Sequence, residues 1–162
     1  IGAFISLFIV QKKADSSAGL IWVFVFTGLI GGSIGPVISM YLANGAGHLV
    51  AQALGATAVV FFSLSAYALV SKKDFSFMGG FLMVGMVVAL LAIVANIFFQ
   101  MPAISLAINA VIIFIMSGFI LFDTSRVIHG GETNYIRATV SLYLSIYNIF
   151  MSILSILNIT ED

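Results

Sequence analysis

Residues 77–99 read FMGGFLMVGMVVALLAIVANIFF, twenty-three consecutive positions without Asp, Glu, Lys or Arg. A helix needs about 20 apolar residues to cross ~30 Å of hydrocarbon, so this run spans a bilayer once. Its apolar residues are continuous, whereas a barrel strand alternates with period two. Because lipid offers the backbone no hydrogen-bonding partner, the segment must satisfy its own N–H and C=O groups as a helix.

Working outward, Lys72-Lys73-Asp74 precede the run and the turn signal Gln100-Met101-Pro102 follows it. The remaining charges mark out further crossings. Residues 16–71 form a 56-residue stretch with no charged side chain, and 75–122 a 48-residue stretch, each long enough for two spans and a turn. Asn44-Gly45-Ala46-Gly47-His48 supplies the turn in the first. Residues 138–160 allow one more span. The fold class predicted is all-α, a polytopic membrane bundle in a single domain, with helices over 18–43, 48–71, 77–99, 103–123 and 135–158. Ile1–Val10 is too short to cross and is expected to be the tail of a helix that begins upstream.

Composition agrees with this layout. The 162 residues are 62% hydrophobic and 7% charged, against roughly 45–50% and ~25% in soluble domains. Formal net charge is zero and cysteine is absent, which removes a bulk attraction to nucleic acid, a disulfide framework and thiolate chemistry. Lys12, Lys13, Lys72, Lys73, Arg126 and Arg137 fall in alternate connections, so those connections are expected to face the cytoplasm and the C-terminus, with Glu161 and Asp162, the other side. Asn158-Ile159-Thr160 matches a glycosylation sequon but lies too close to the bilayer for ready modification.

The last helix carries Ser141, Ser145, Asn148, Ser152 and Ser155 at spacings that place them on one face. Lipid tails cannot bond these groups, so the stripe is expected to face other helices, either as interhelical glue worth about 0.6 kcal/mol per contact or as a solvated pathway. Asp123 ends a long apolar run and is a candidate proton- or cation-sensing residue; its plain alternative is a helix-end ion pair with Arg126. Gly28, Gly31, Gly32 and Gly35, followed by Pro36, predict close helix packing and a kink. Asn96, Asn109 and Gln52 are expected as caps or interhelical bonds. His48 and His129 fall on opposite sides of the membrane in this topology, so no shared metal site is expected, and neither a cofactor nor a catalytic grouping is evident.

The segment His129-Gly130-Gly131-Glu132-Thr133-Asn134-Tyr135-Ile136-Arg137-Ala138-Thr139-Val140-Ser141-Leu142-Tyr143, continuing to Tyr147-Asn148-Ile149-Phe150, resembles the Bax-inhibitor family in its bacterial YccA-like branch. Gly35-Pro36, Val94-Ala95-Asn96-Ile97-Phe98 and Pro102 extend the similarity along the chain. The resemblance implies a seven-helix bundle around a central C-terminal helix, of which one helix and part of the next would precede Ile1. For the bacterial branch it implies an inner-membrane partner and modulator of the FtsH protease, engaged through small-residue surfaces or loops such as Arg126–Arg137. For other branches it implies a pH-sensitive calcium leak governed by two facing aspartates. Asp123 corresponds to the first of these. At the second position, in Leu142-Tyr143-Leu144-Ser145-Ile146, this chain has Ser145. An Asp–Ser pair cannot share a proton as two carboxylates do, so any pH gate is expected to be weak or shifted.

Overall fold

A computed structural model describes residues 1–130 and 134–161, the side chains of Ser76 and Glu161 excepted. Gly131, Glu132 and Thr133 of the quoted signature, and Asp162, lie outside the described residues. The described chain folds into α1 (Gly2–Lys12), α2 (Ala18–Ala43), α3 (Gly47–Ser71), α4 (Gly79–Phe99), α5 (Pro102–Ile128) and α6 (Tyr135–Glu161), with a 3₁₀ turn at Ser76–Met78 before α4. The last five are long and apolar enough to cross a membrane, whereas α1 has 11 residues.

Local chemistry explains the boundaries. Gly45 supplies the positive φ (73°) that the tight α2–α3 turn requires. Pro102 opens α5 at its first turn, where a missing N–H costs nothing. Asn134 caps α6 by accepting from the N–H groups of Ile136 (2.9 Å) and Arg137 (3.2 Å). Two expected limits move appreciably. α5 runs to Ile128 rather than 123, because nothing in Thr124–Ile128 breaks a helix and Arg126 suits the negative end of its dipole. α6 likewise continues beyond 158 to Glu161.

α6 is the organising element, in contact with α1, α2, α3 and α5. Ile136 and Val140 join Val10 and Phe26 of α1 and α2; Phe150 and Leu154 join Leu49, Val50 and Ala53 of α3; Ile149 joins Met116 and Ile120 of α5. The expectation of an enclosed last helix is met in that sense. α4 packs on the far side of α5 through Leu82, Ala89 and Ile115.

Cross-links between helix ends set the polarity of the bundle. Arg137 Nη2 lies 3.8 Å from Asp15 Oδ2, Ser141 bonds Asp123, and His129 meets the Lys72 carbonyl. The ends of α1, α3 and α5 and the starts of α2, α4 and α6 therefore share one pole, and all six Lys and Arg residues gather there.

Candidate functional site

The basic pole contains a polar cleft of about 170 Å³ lined by Gln11, Asp123, Arg126, Arg137, Ala138 and Ser141. Asp123 sits within α5, more than a turn before its end, and is 7% exposed. An acid so placed needs polar partners, since burying a charge without them is expensive. Ser141 Oγ donates to Asp123 Oδ2 at 2.5 Å. This corrects the sequence-based pairing with Ser145: helix register puts Ser141 opposite the carboxylate, while Ser145, 3% exposed, lies a turn deeper along α6. Arg126 stands on the same cleft, with its guanidinium carbon 5.4 Å from the centre of the Phe122 ring. Arg137 and Gln11 complete its rim; the sequence marked Arg137 only as a loop cation and did not single out Gln11.

The remaining stripe residues do turn inward. Ser145 and Ser152 are buried, and Ser141, Asn148 and Ser155 are partly covered. Asn109 Nδ2 bonds Ser155 Oγ at 3.2 Å, tying α5 to α6, whereas Asn148 Nδ2 bonds the Leu144 carbonyl of its own helix. At the non-basic pole Asn96 donates to Ser105 Oγ at 2.6 Å and accepts from Met101 N–H, fastening the α4–α5 turn. Between the Asp123–Ser141 and Asn109–Ser155 bonds, Met116 and Ile120 of α5 pack against Ile149 of α6.

The glycine expectation needs correction. A Cβ added at Gly28, Gly32 or Gly35 would meet nothing within 4 Å, and one at Gly31 would meet only Tyr143 Oη at 3.6 Å. Gly31 and Gly35 instead border an apolar cleft of about 540 Å³ between α2, α3 and α6, with Thr57, Tyr143, Tyr147 and Phe150 among its walls. The inward seam of α2 runs through Trp22, Phe26 and Ile30, whose i, i+4 spacing leaves the glycines on another face. Close approach occurs at glycines not singled out: a Cβ on Gly118 would lie 2.6 Å from Leu82 Cδ2, and one on Gly79 3.0 Å from Phe122 Cε2. α2 continues helically through Pro36, which withholds the N–H that Gly32 C=O would otherwise accept.

His48 opens α3 while His129 bonds at the opposite end of that helix, so the two are separated by its 25 residues. Among the described residues no three His, Cys, Asp or Glu side chains converge as a metal-binding group.

Five apolar spans, one of them a polar-striped helix packed against most of its neighbours, with a carboxylate-bearing cleft at one pole, define a polytopic helical membrane protein. Within that class the chain belongs to the Bax-inhibitor family: the profile described as "Inhibitor of apoptosis-promoting Bax1" matches residues 1–162. It is 57% identical over 157 residues to the Escherichia coli K12 protein named modulator of FtsH protease YccA, covering 97% of this chain and 72% of that protein. An E. coli O6:H1 relative with the same identity and coverage is named inner membrane protein YccA. A Vibrio cholerae membrane protein is 53% identical over 159 residues, 98% of this chain and 71% of its own length.

Proposed function

We propose that this protein is a non-catalytic regulator that binds the FtsH protease in the bacterial inner membrane and modulates its activity. The observation that carries this reading is the 57% identity, over 97% of the chain, to a protein named as a modulator of that protease. The gathering of all six Lys and Arg residues at one pole supports placing that pole in the cytoplasm. Binding is expected to use lipid-facing small-residue surfaces or loops such as Arg126–Arg137, of which residues 131–133 lie outside the described residues. Affinity purification from native membranes is expected to recover the protease; recovery no better than from a strain lacking the tagged protein would overturn the proposal.

A second reading, a proton-sensitive cation leak of the calcium-permeable kind, is favoured by one feature. The buried carboxylate of Asp123 opens onto the polar cleft, where Ser141 donates to it. Flux of calcium and protons through reconstituted protein tests it. Asp123→Asn is expected to change permeability in a pH-dependent way, and identical flux from variant and parent at every pH would remove Asp123 from any such pathway.

A further inference from the structure

At the same pole, but away from the Asp123 cleft, the side chain of His129 reaches the backbone of its own helix end and that of Lys72, 57 residues away in sequence. It follows the last turn of α5. Its Nδ1 lies 2.9 Å from the Ser125 carbonyl oxygen and its Nε2 2.9 Å from the Lys72 carbonyl oxygen. Carbonyl oxygens only accept hydrogen bonds, and a neutral imidazole has one N–H. With a neutral ring, one bare nitrogen would face a carbonyl oxygen at hydrogen-bonding distance. Only the imidazolium supplies a donor to each.

The rest of the cluster shows what the bridge secures. Lys72 ends α3 in a left-handed conformation (φ 54°), and the chain then turns through Lys73–Phe75 towards α4. Ser125 is fully buried beneath this connection, where its Oγ accepts from Phe75 N–H at 2.8 Å. The single hydroxyl proton of Ser125 has three acceptors in range: the Lys73 carbonyl at 3.3 Å, Asp74 Oδ1 at 3.4 Å and His129 Nδ1 at 3.4 Å. The carbonyl oxygen is the nearer neighbour of Nδ1, by half an ångström. The charged and titratable groups of the connection beside the ring are Lys72, Lys73 and Asp74, with Tyr67 of α3 next to Lys73; on α5, Asp123 and Arg126 line the separate cleft. Glu132, in the segment that follows, lies outside the described residues. The negative end of the α5 dipole also favours a positive charge at this position.

We propose that His129 is a proton-binding site whose imidazolium clasps the α3–α4 connection to the end of α5, and that deprotonation loosens this connection at the basic pole. With the proton bound, the ring donates to both carbonyls, of which the Ser125 oxygen also accepts the His129 backbone N–H, and the Phe75–Ser125 bond is held. Without it, one of the two links is lost.

The test uses the protein in lipid nanodiscs between pH 5 and 8. Two readouts are followed: the ring ¹⁵N shifts of His129, separated from those of His48 with the His48→Gln variant, and the exchange protection of the Phe75 amide, corrected for intrinsic exchange. The expected result is an imidazolium at the acid end. As it deprotonates, Phe75 protection falls about fivefold, the size of one net hydrogen bond. His129→Gln, which cannot take a charge, is expected to show the lower protection at every pH. Three outcomes would overturn the proposal: a His129 ring neutral throughout, with Ser125 donating to Nδ1; Phe75 protection independent of pH in the parent; or the same pH step retained in His129→Gln.

Discussion

α4 and α6 reverse the order familiar from water-soluble proteins. α4 has the highest mean hydropathy of the five long helices and α6 the lowest, yet 33% of the 18-residue apolar stretch of α6 is buried against 11% of that of α4. Phe81, Val84, Leu91, Ile97 and Phe98 of α4 all face outward. In water the more apolar helix would be enclosed. In lipid an apolar surface gains nothing by leaving its solvent, and the helix with hydroxyls and amides to satisfy is the one that packs against neighbours. Small residues divide in the same way: Gly79 and Gly118 admit a close neighbour at the α4–α5 interface, whereas the denser glycine series of α2 borders open space and a cleft.

Substitutions at these places sharpen or break the comparison. The largest effect is expected at Gly118, where a side chain collides with Leu82. Gly118→Ile should cost about 1–3 kcal/mol by overpacking, and Gly32→Ile on the open face of α2 less than about 0.5 kcal/mol, both read from reversible unfolding in mixed micelles. Equal losses would mean that the glycine face of α2 is packed after all. Next, Ser125→Ala removes the acceptor of the Phe75 N–H; because Phe75 is only partly buried, water can replace some of the bond, and a loss of about 1 kcal/mol is expected in the same assay. Asn109→Leu, which breaks the link to Ser155, should cost about 0.6 kcal/mol and no more than ~1.7. A cost well above that would show the polar seam of α6 to be more than interhelical glue. Smallest of all, Phe98→Ala on the 81% exposed end of α4 should shift the unfolding midpoint little, with a change below about 0.5 kcal/mol.

Most of the architecture was legible because charge is so scarce. Asp, Glu, Lys and Arg cannot be left within hydrocarbon without cost, so their spacing located the spans, and α2 in particular begins and ends where the sequence placed it. The i, i+4 and i, i+3 spacing of Ser141, Ser145, Asn148, Ser152 and Ser155 likewise announced an inward face. Which partner each of these meets was not legible. Ser141 and Ser145 are one turn apart on the same face, and only the axial offset of α5 against α6 brings the first to Asp123. His129 was conspicuous only as the start of the family-like segment and as a histidine too far from His48 to share a metal. Its contact with Lys72, 57 residues away, depends on where α3 ends and how the connection folds back over α5.

The amino-acid sequence by itself determined the number of long apolar spans, most of their limits and the polar face of α6, because all three follow from where a chain can lie in hydrocarbon without stranding charges or backbone groups. Only the tertiary structure decided which glycines are crowded, which hydroxyl holds Asp123, and that His129 reaches two carbonyls. Each depends on the axial shift and rotation of one helix against another, a matter of a few ångströms that side-chain packing sets and that apolar periodicity leaves open.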